Sequence, residues 1–323
     1  MPARVRAMIE ERAEAAGFSA LKRAAGELSE AYREGKPTRM PAADHVAAYL
    51  VTRMPATWAA ARAALGEAPE WNVASILDVG AGSGAAALAA ADRFPGARDF
   101  TLVERDPSLA DEARQFLPQA RVLAADAEAM REFPPHDLVI AAYSLGEMGR
   151  DLTEALWAAA RVALVVIEPG TPRGAARIAL VRERLLALGA HMAAPCPAAM
   201  PCPLAAPDGC HFAARVERSS LHRRVKDGEL GYEDEKYSYV AVARQPAKLG
   251  GARVLRHPRH HPGLIELELC TAEGPRHERV TKRDRERFRA ARRAAWGTRF
   301  GGVTTVTETG AGEDPGPDSH GQS

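Results

Sequence analysis

Apolar positions change their period twice along this 323-residue chain. From residue 1 to about 70, Ala, Leu, Glu and Arg dominate, and Phe18, Leu21, Ala25, Leu28 and Tyr32 recur three or four residues apart, the spacing of one helix face. Gly35 to Pro41 interrupts that pattern, and Asp44 is placed to cap a second helix beginning at His45. From Ser75 the pattern becomes strand, loop, helix, repeated. The runs ILDVG (76–80), FTLVE (100–104), RVLAA (121–125), DLVIAAYS (137–144) and ALVVIEPG (163–170) alternate with Ala-rich helical segments. Buried strands separated by helices predict a parallel sheet with crossover helices, a doubly wound α/β domain.

Near residue 190 the pattern changes again. APCPAAMPCPLAAPDGC (194–210) is too rich in proline for regular helix or strand. KYSYVAVAR (236–244) alternates as a strand does, and ARVLRH (252–257) and GLIELELC (263–270) suggest two more, joined by the turn HPRHHPG. Thr281 with Asp284 fits a capping box opening a basic helix through about Trp296, and the Gly/Ser/Thr/acid-rich tail 301–323 reads as disordered. Four units are expected: a helical cap over 1–74, a nucleotide-binding domain over 75–190, an extension over 191–300 and the tail 301–323.

The formal charge of +1 hides an uneven distribution. Residues 75–190 hold 12 Lys/Arg against 16 Asp/Glu, whereas 191–299 hold 21 against 13, so the extension is the part suited to a polyanion. No run reaches the roughly eighteen uncharged apolar residues of a membrane span. The N-terminal stretch mixes charges of both signs and has no apolar signal core. Neither a membrane nor a DNA partner is expected.

The first chemical motif is Asp78-Val79-Gly80-Ala81-Gly82-Ser83-Gly84, between a predicted strand and an Ala-rich helix. Glycines there let the backbone turn sharply and approach a ligand. Glu104 ends the next strand, where a carboxylate can accept hydrogen bonds from both ribose hydroxyls, and Asp126 follows the third, where it could meet an adenine amine. The pattern resembles motifs I and II of class I S-adenosylmethionine-dependent methyltransferases. The glycines of NAD-type domains run G-x-G-x-x-G instead. The resemblance implies that Asp78, Gly80, Gly82 and Gly84 line the methionine end of that donor. Residues 75–190 contain neither lysine nor cysteine, which speaks against ribose deprotonation by lysine and covalent attack on a pyrimidine. Where many amino-methyltransferases carry Asn/Asp-Pro-Pro-aromatic, this chain has Ala142-Tyr143-Ser144-Leu145. Tyr143 and Glu147 are possible substrate contacts, and neither is assigned a catalytic role.

The second motif is Cys196-x5-Cys202-x7-Cys210, with Cys270 later, which uses all four cysteines of the chain. Four thiolates suit tetrahedral zinc or an iron–sulfur cluster, and the long spacings lean toward the latter. His191 and His211 are possible substitutes. Three basic segments follow: Arg215 to Lys226, Arg256 to His261, and 276–293 with nine Lys/Arg against three acids, where Lys282, Arg285, Arg289, Arg292 and Arg293 would spread over a helix. The tetrad Glu233-Asp234-Glu235-Lys236 is read as ion pairing that holds the cysteine loops against the sheet, with a catalytic role as the alternative.

Cys196-Pro197, Cys202-Pro203-Leu204, Cys210-His211-Phe212, Leu221-His222-Arg223, the run from Tyr232 to Tyr239, the stretch from Ile167 to Gly174 and the closing Ala294-Ala295-Trp296-Gly297 together resemble the methyltransferase-like assembly factors of the mitochondrial small ribosomal subunit. The likeness covers about residues 20–300. It implies a protein that binds small-subunit rRNA and the maturing small subunit, carries S-adenosylmethionine, and holds a [4Fe–4S] cluster through Cys196, Cys202, Cys210 and Cys270. An rRNA methyltransferase is the leading expectation. A non-catalytic rRNA-binding chaperone and a small-molecule methyltransferase are the alternatives. Mitochondrial members begin with a transit peptide, whereas Met1 here opens on an acid-containing helix, so a bacterial cytoplasmic member is expected.

Overall fold

In a computed structural model of the chain the described residues are 1–33, 39–199, 201–204, 209–226, 228–247 and 249–301. The expected tail therefore lies outside them from residue 302 on, as does most of the predicted break at Gly35 to Pro41.

Four helices open the chain: α1 (Ala3–Ala16), α2 (Phe18–Arg33), α3 (Ala43–Thr52) and α4 (Met54–Gly66). Val5, Ile9 and Ala13 form the buried stripe of α1, and Leu21, Ala24, Ala25 and Leu28 that of α2. Asp44 does not cap α3. The N-cap is Ala42, and the Asp44 carboxylate in the first turn accepts from Arg23 and stands 3.0 Å from His45 Nδ1, tying α2 to α3.

The α/β core follows as β1 (Ser75–Val79), α5 (Ala85–Arg93), β2 (Asp99–Glu104), α6 (Pro107–Phe116), β3 (Arg121–Ala124), β4 (His136–Ala142), α7 (Thr153–Ala159), β5 (Ala160–Pro169) and α8 (Pro172–Ala187). Alternation sorts the strand side chains onto two faces. Ile76, Leu138 and Ile140 join the core under the N-terminal helices, and Leu77, Val139 and Ala141 join that under α7 and α8. Alanines on α4 and α5, among them Ala60, Ala61, Ala86 and Ala90, are buried and let these helices approach closely.

The sheet does not stop at residue 190. It takes in β6 (His191–Ala194), β7 (Phe212–Glu217) and, after α9 (Ser220–Val225), β8 (Tyr232–Ala243). Its order is β3-β2-β1-β4-β5-β8-β6, with β7 also on β8. β1 to β5 run parallel, and β8 runs antiparallel to β5. That order is the class I methyltransferase fold.

A second sheet holds β9 (Ala252–Val254), β10 (Arg259–His261), β11 (Leu264–Thr271), β12 (Gly274–Thr281) and, after α10 (Arg285–Arg293), β13 (Arg299–Phe300). Val254, Ile265, Leu267, Leu269, Val280 and Phe300 form its own small core. Thr281 ends β12 rather than capping a helix. Asp284 is the N-cap of α10, accepting from the Arg287 amide at 3.0 Å. Buried Arg253 docks this sheet on the first. Its guanidinium reaches Pro195 O at 2.9 Å and Gly297 O at 2.6 Å, and it pairs with Glu67.

Candidate functional site

A cavity of about 300 Å3 opens at the C-terminal ends of β1, β2 and β4, the crevice where doubly wound sheets place their ligands. Asp78, Gly80, Gly82, Glu104 and Asp126 all line it. Gly84 does not. It is the N-cap of α5, and a Cβ there would meet Leu117 at 3.0 Å and Leu102 at 3.2 Å.

The turn needs its glycines for two reasons. Gly80 and Gly82 have φ of +72° and +55°, a region that disfavours side chains. A Cβ on Gly80 would lie 2.3 Å from Ser144 Cβ, and one on Gly82 would lie 2.6 Å from Tyr49 Oη. Asp78 is fully buried at the end of β1. Its Oδ2 accepts from the Ala87 amide at 3.0 Å, while Oδ1 has no hydrogen-bond partner among the described residues. Burial pushes its carboxyl up to about 7.

Glu104 Oε2 accepts from the Gly82 amide at 2.7 Å and Oε1 from the Asp106 amide at 2.8 Å. Burial raises this carboxyl too, against those two amides. Each oxygen keeps a second lone pair for a ligand hydroxyl. Asp126 is exposed and uses one oxygen to accept from the Glu128 amide at 3.0 Å.

Much of the cavity wall comes from outside the glycine turn and the strand ends that follow it. Glu27 and Leu28 of α2, His45 and Tyr49 of α3, and Arg53 between α3 and α4 close it from the N-terminal side, and Glu235 reaches in from β8. Six carboxylates line it, those of Glu27, Asp78, Glu104, Asp126, Glu147 and Glu235, against the guanidinium groups of Arg39, Arg53 and Arg105. Tyr143 stands at the end of β4 with φ of +58°, alone among the described non-glycine residues in having a positive value. Its amide donates to Ile167 O at 2.7 Å and its hydroxyl to Glu235 Oε1 at 2.9 Å.

Residues 167–174 buttress this wall. Glu168, buried, accepts from the Gly146 amide at 3.1 Å and from Arg177. The Gly170 amide donates to Lys236 O at 2.8 Å.

Cys270, sixty residues beyond the other three cysteines, comes into one electrostatic neighbourhood with them. Burial raises the Cys210 thiol far above its usual range, and Cys196, Cys202 and Cys270 add to the effect. Cys270 is pushed up to about 11 by burial and by Cys196 and Cys202. Burial raises Cys196, with Arg182 working against it. Among the described residues no group of three or more His, Cys, Asp or Glu side chains stands at metal-holding geometry. His211 faces Gly209 O at 3.0 Å, with its ring edge-on to Trp296. His191 is exposed on β6.

The basic segments divide into paired and unpaired charge. On the second sheet Arg259 pairs with Glu268, Arg276 with Glu278 and Arg279 with Glu266, and Arg287 of α10 joins Glu278. In the β7–α9–β8 region Arg215 pairs with Asp234, while Arg218, His222 and Lys226 surround Glu233 and hold its carboxyl far below the usual range despite its burial. Of the tetrad, Glu233 and Asp234 are thus ion-paired in this region whereas Glu235 turns to Tyr143, and Ser238 Oγ donates to Cys210 O at 2.8 Å. Lys282, Arg283, Arg285, Arg289, Arg292 and Arg293 are exposed and have no ion pair among the described residues. No described helix is long and apolar enough to cross a membrane.

Several solved structures share this layout at low similarity. Precorrin-6y C5,15-methyltransferase from Geobacter metallireducens is 16% identical, covers 57% of this chain and 87% of its own, and gives a TM-score of 0.39. A TehB-like SAM-dependent methyltransferase from Corynebacterium glutamicum is 16% identical, covers 71% and 100%, and gives 0.36. Plantazolicin methyltransferase BpumL, in complex with SAH, is 13% identical, covers 74% and 100%, and gives 0.40. The fold rests on the strand order rather than on these scores. No curated protein matches the chain. A family model, that of the mitochondrial small ribosomal subunit protein Rsm22, matches residues 43–301, which takes in the glycine turn, all four cysteines and the basic helix α10, and by that match the chain belongs to the Rsm22 family.

Proposed function

We propose that this protein binds S-adenosylmethionine in the β1–β4 crevice, docks on small-subunit rRNA through α10, and methylates that rRNA as the subunit matures. The donor carries a sulfonium and an ammonium against one carboxylate, so it is a net cation. A cavity lined by six carboxylates and three guanidinium groups suits it and repels the pyrophosphate of a dinucleotide. The observation that carries the donor assignment is the orphaned Asp78 Oδ1 beneath the glycine turn, an acceptor waiting for an ammonium. Glu104 would take the ribose hydroxyls with its remaining lone pairs, and Asp126 the adenine amine with its uncommitted oxygen. When bound, the donor supplies an electrophilic methyl group, and the protein contributes orientation by holding both partners in the crevice.

The small-subunit partner follows from the family. The unpaired arginines of α10 supply the phosphate contacts, because Arg259 of β10 and Arg276 and Arg279 of β12 are already paired with glutamates. Four thiols suit a [4Fe–4S] cluster, with zinc as the alternative. Cys196, Cys202, Cys210 and Cys270 would hold it, and Arg182 and Arg253 beside them favour the thiolate form that ligation needs. A bacterial cytoplasmic setting is part of the same proposal.

The turn Ala142-Tyr143-Ser144-Leu145 favours a second reading, a non-catalytic chaperone, because it lacks the amine-holding Asn/Asp-Pro-Pro-aromatic pattern. Replacing Glu104 and mapping both rRNA methylation and subunit assembly separates the two. Normal assembly with one lost methyl mark supports catalysis, and stalled subunits with every mark intact support the chaperone.

A further inference from the structure

The far wall of the crevice, opposite the expected adenosine end, is built from parts that the donor does not require. Ser144 packs on the glycine turn, since the Cβ position of Gly80 lies 2.3 Å from Ser144 Cβ, and Ser144 Oγ donates to Val79 O at 2.9 Å. Tyr143, next to it, is therefore held at the methionine end of the site. Its left-handed backbone is strained, and such strain persists only where the surroundings enforce it. Here the enforcing contacts are the Tyr143 amide to Ile167 O and the Tyr143 hydroxyl to Glu235, 92 residues away.

Glu235 is fixed just as firmly. A Cβ on Gly170 would fall 2.7 Å from the carbonyl carbon of Lys236, so only glycine lets β5 come close enough for its amide to reach Lys236 O. Tyr143 occupies Oε1, and no second hydrogen bond reaches this carboxylate among the described residues, although it lines the cavity. Burial raises its carboxyl, and Tyr143, Arg53 and Lys226 oppose that, with Glu233 the other acid facing it.

We infer that Glu235, positioned by Tyr143, is the proton acceptor of the methyl transfer, and that the methylated group is an N–H of an rRNA base. This rests on the function proposed above. A carboxylate oxygen at that place can only accept, so it selects an amino or imino nitrogen over a carbonyl oxygen. The nitrogen lone pair forms the N–CH3 bond as the S–CH3 bond breaks, the bonding pair returns to sulfur, and the N–H proton passes to Glu235 and then to solvent.

The test uses small subunits from a strain lacking this protein, with donor labelled in its methyl group. In Glu235→Gln the amide oxygen can still accept from Tyr143, but the acceptor facing the cavity is lost. The variant is expected to bind donor within twofold of wild type and melt at the same temperature, while rRNA labelling slows at least about 100-fold. The wild-type label should digest to an N-methylated base. In the unloaded protein the Glu235 carboxyl 13C signal should titrate above free glutamate, and higher still in Tyr143→Phe, which loses the hydrogen bond that favours ionisation. Labelling by Glu235→Gln at the wild-type rate, label on oxygen or carbon, or a Glu235 titration indifferent to Tyr143→Phe would overturn the inference and leave the donor site standing. Wild-type protein that binds donor yet labels no rRNA overturns the methyl-transfer reading together with it.

Discussion

The amide of Gly82 donates to Glu104 Oε2 across 2.7 Å, joining the glycine turn to the end of the neighbouring strand. One carboxylate thereby shapes the loop that covers a donor and presents lone pairs to its ribose. The turn is pressed from the other side by Tyr49, whose hydroxyl lies 2.6 Å from where a Gly82 Cβ would be. Gly82→Ala is therefore expected to destabilise the protein by about 2–3 kcal/mol, from left-handed strain plus the clash. Tyr49→Phe in the same chain removes the clashing oxygen and should recover about 1 kcal/mol. A double-mutant cycle by chemical denaturation measures this, and strict additivity would refute the contact.

Asp78 gives the fold a pH dependence. Its carboxyl, ordinarily near 3.8, is pushed up to about 7 by burial. Protonated Asp78 thus stabilises the fold fully below about pH 4, and that contribution is lost as pH rises toward 7. Asp78→Asn keeps an acceptor for the Ala87 amide and removes the buried charge. Relative to wild type without ligand, it should gain about 1–3 kcal/mol between pH 5 and pH 8, while losing donor binding. Melting curves at the two pH values check this.

On the RNA side, replacing Arg289, Arg292 and Arg293 together should lower the slope of log affinity against log salt for small-subunit rRNA by about 2–3, near one per lost phosphate contact. Replacing Arg276 and Arg279, already paired with Glu278 and Glu266, should change it by less than about 1. Salt-dependent filter binding distinguishes the two sets. Equal slopes would remove α10 as the phosphate face.

The Cys210 thiol feels the other three cysteines at once, so Cys210→Ser should abolish retention of iron and sulfide after anaerobic reconstitution. Wild-type protein is expected to hold them in equal amounts. Stoichiometric zinc with no sulfide would replace the cluster by the alternative metal.

Much of this was legible from the sequence because local rules govern it. Strands at 76–80, 100–104 and 163–170 announce themselves through apolar runs, and Asp78, Gly80, Gly82 and Glu104 through the loop chemistry between them. What escaped depends on long-range contact. Tyr49 and Arg53 line the crevice only because α3 folds over it, and Glu235, marked in the sequence as one of a charged tetrad, reaches the crevice only because β8 inserts antiparallel beside β5. Nor does spacing reveal that Glu266 of β11 meets Arg279 across a hairpin and that Glu278 takes Arg276 and Arg287, which leaves the basic run 276–293 one third paired. Asp44 and Thr281 illustrate capping signals outvoted by tertiary partners: Arg23 and His45 claim the first, and a strand the second.

Donor binding is the claim on which the rest stands, and isothermal titration of the purified chain with S-adenosylmethionine tests it most directly. One site per chain is expected, weakened about 30- to 1,000-fold in Glu104→Ala through the loss of about 2–4 kcal/mol of charge-assisted hydrogen bonds, with no binding of NAD. No saturable heat with S-adenosylmethionine, or an affinity unchanged by Glu104→Ala, would contradict the account.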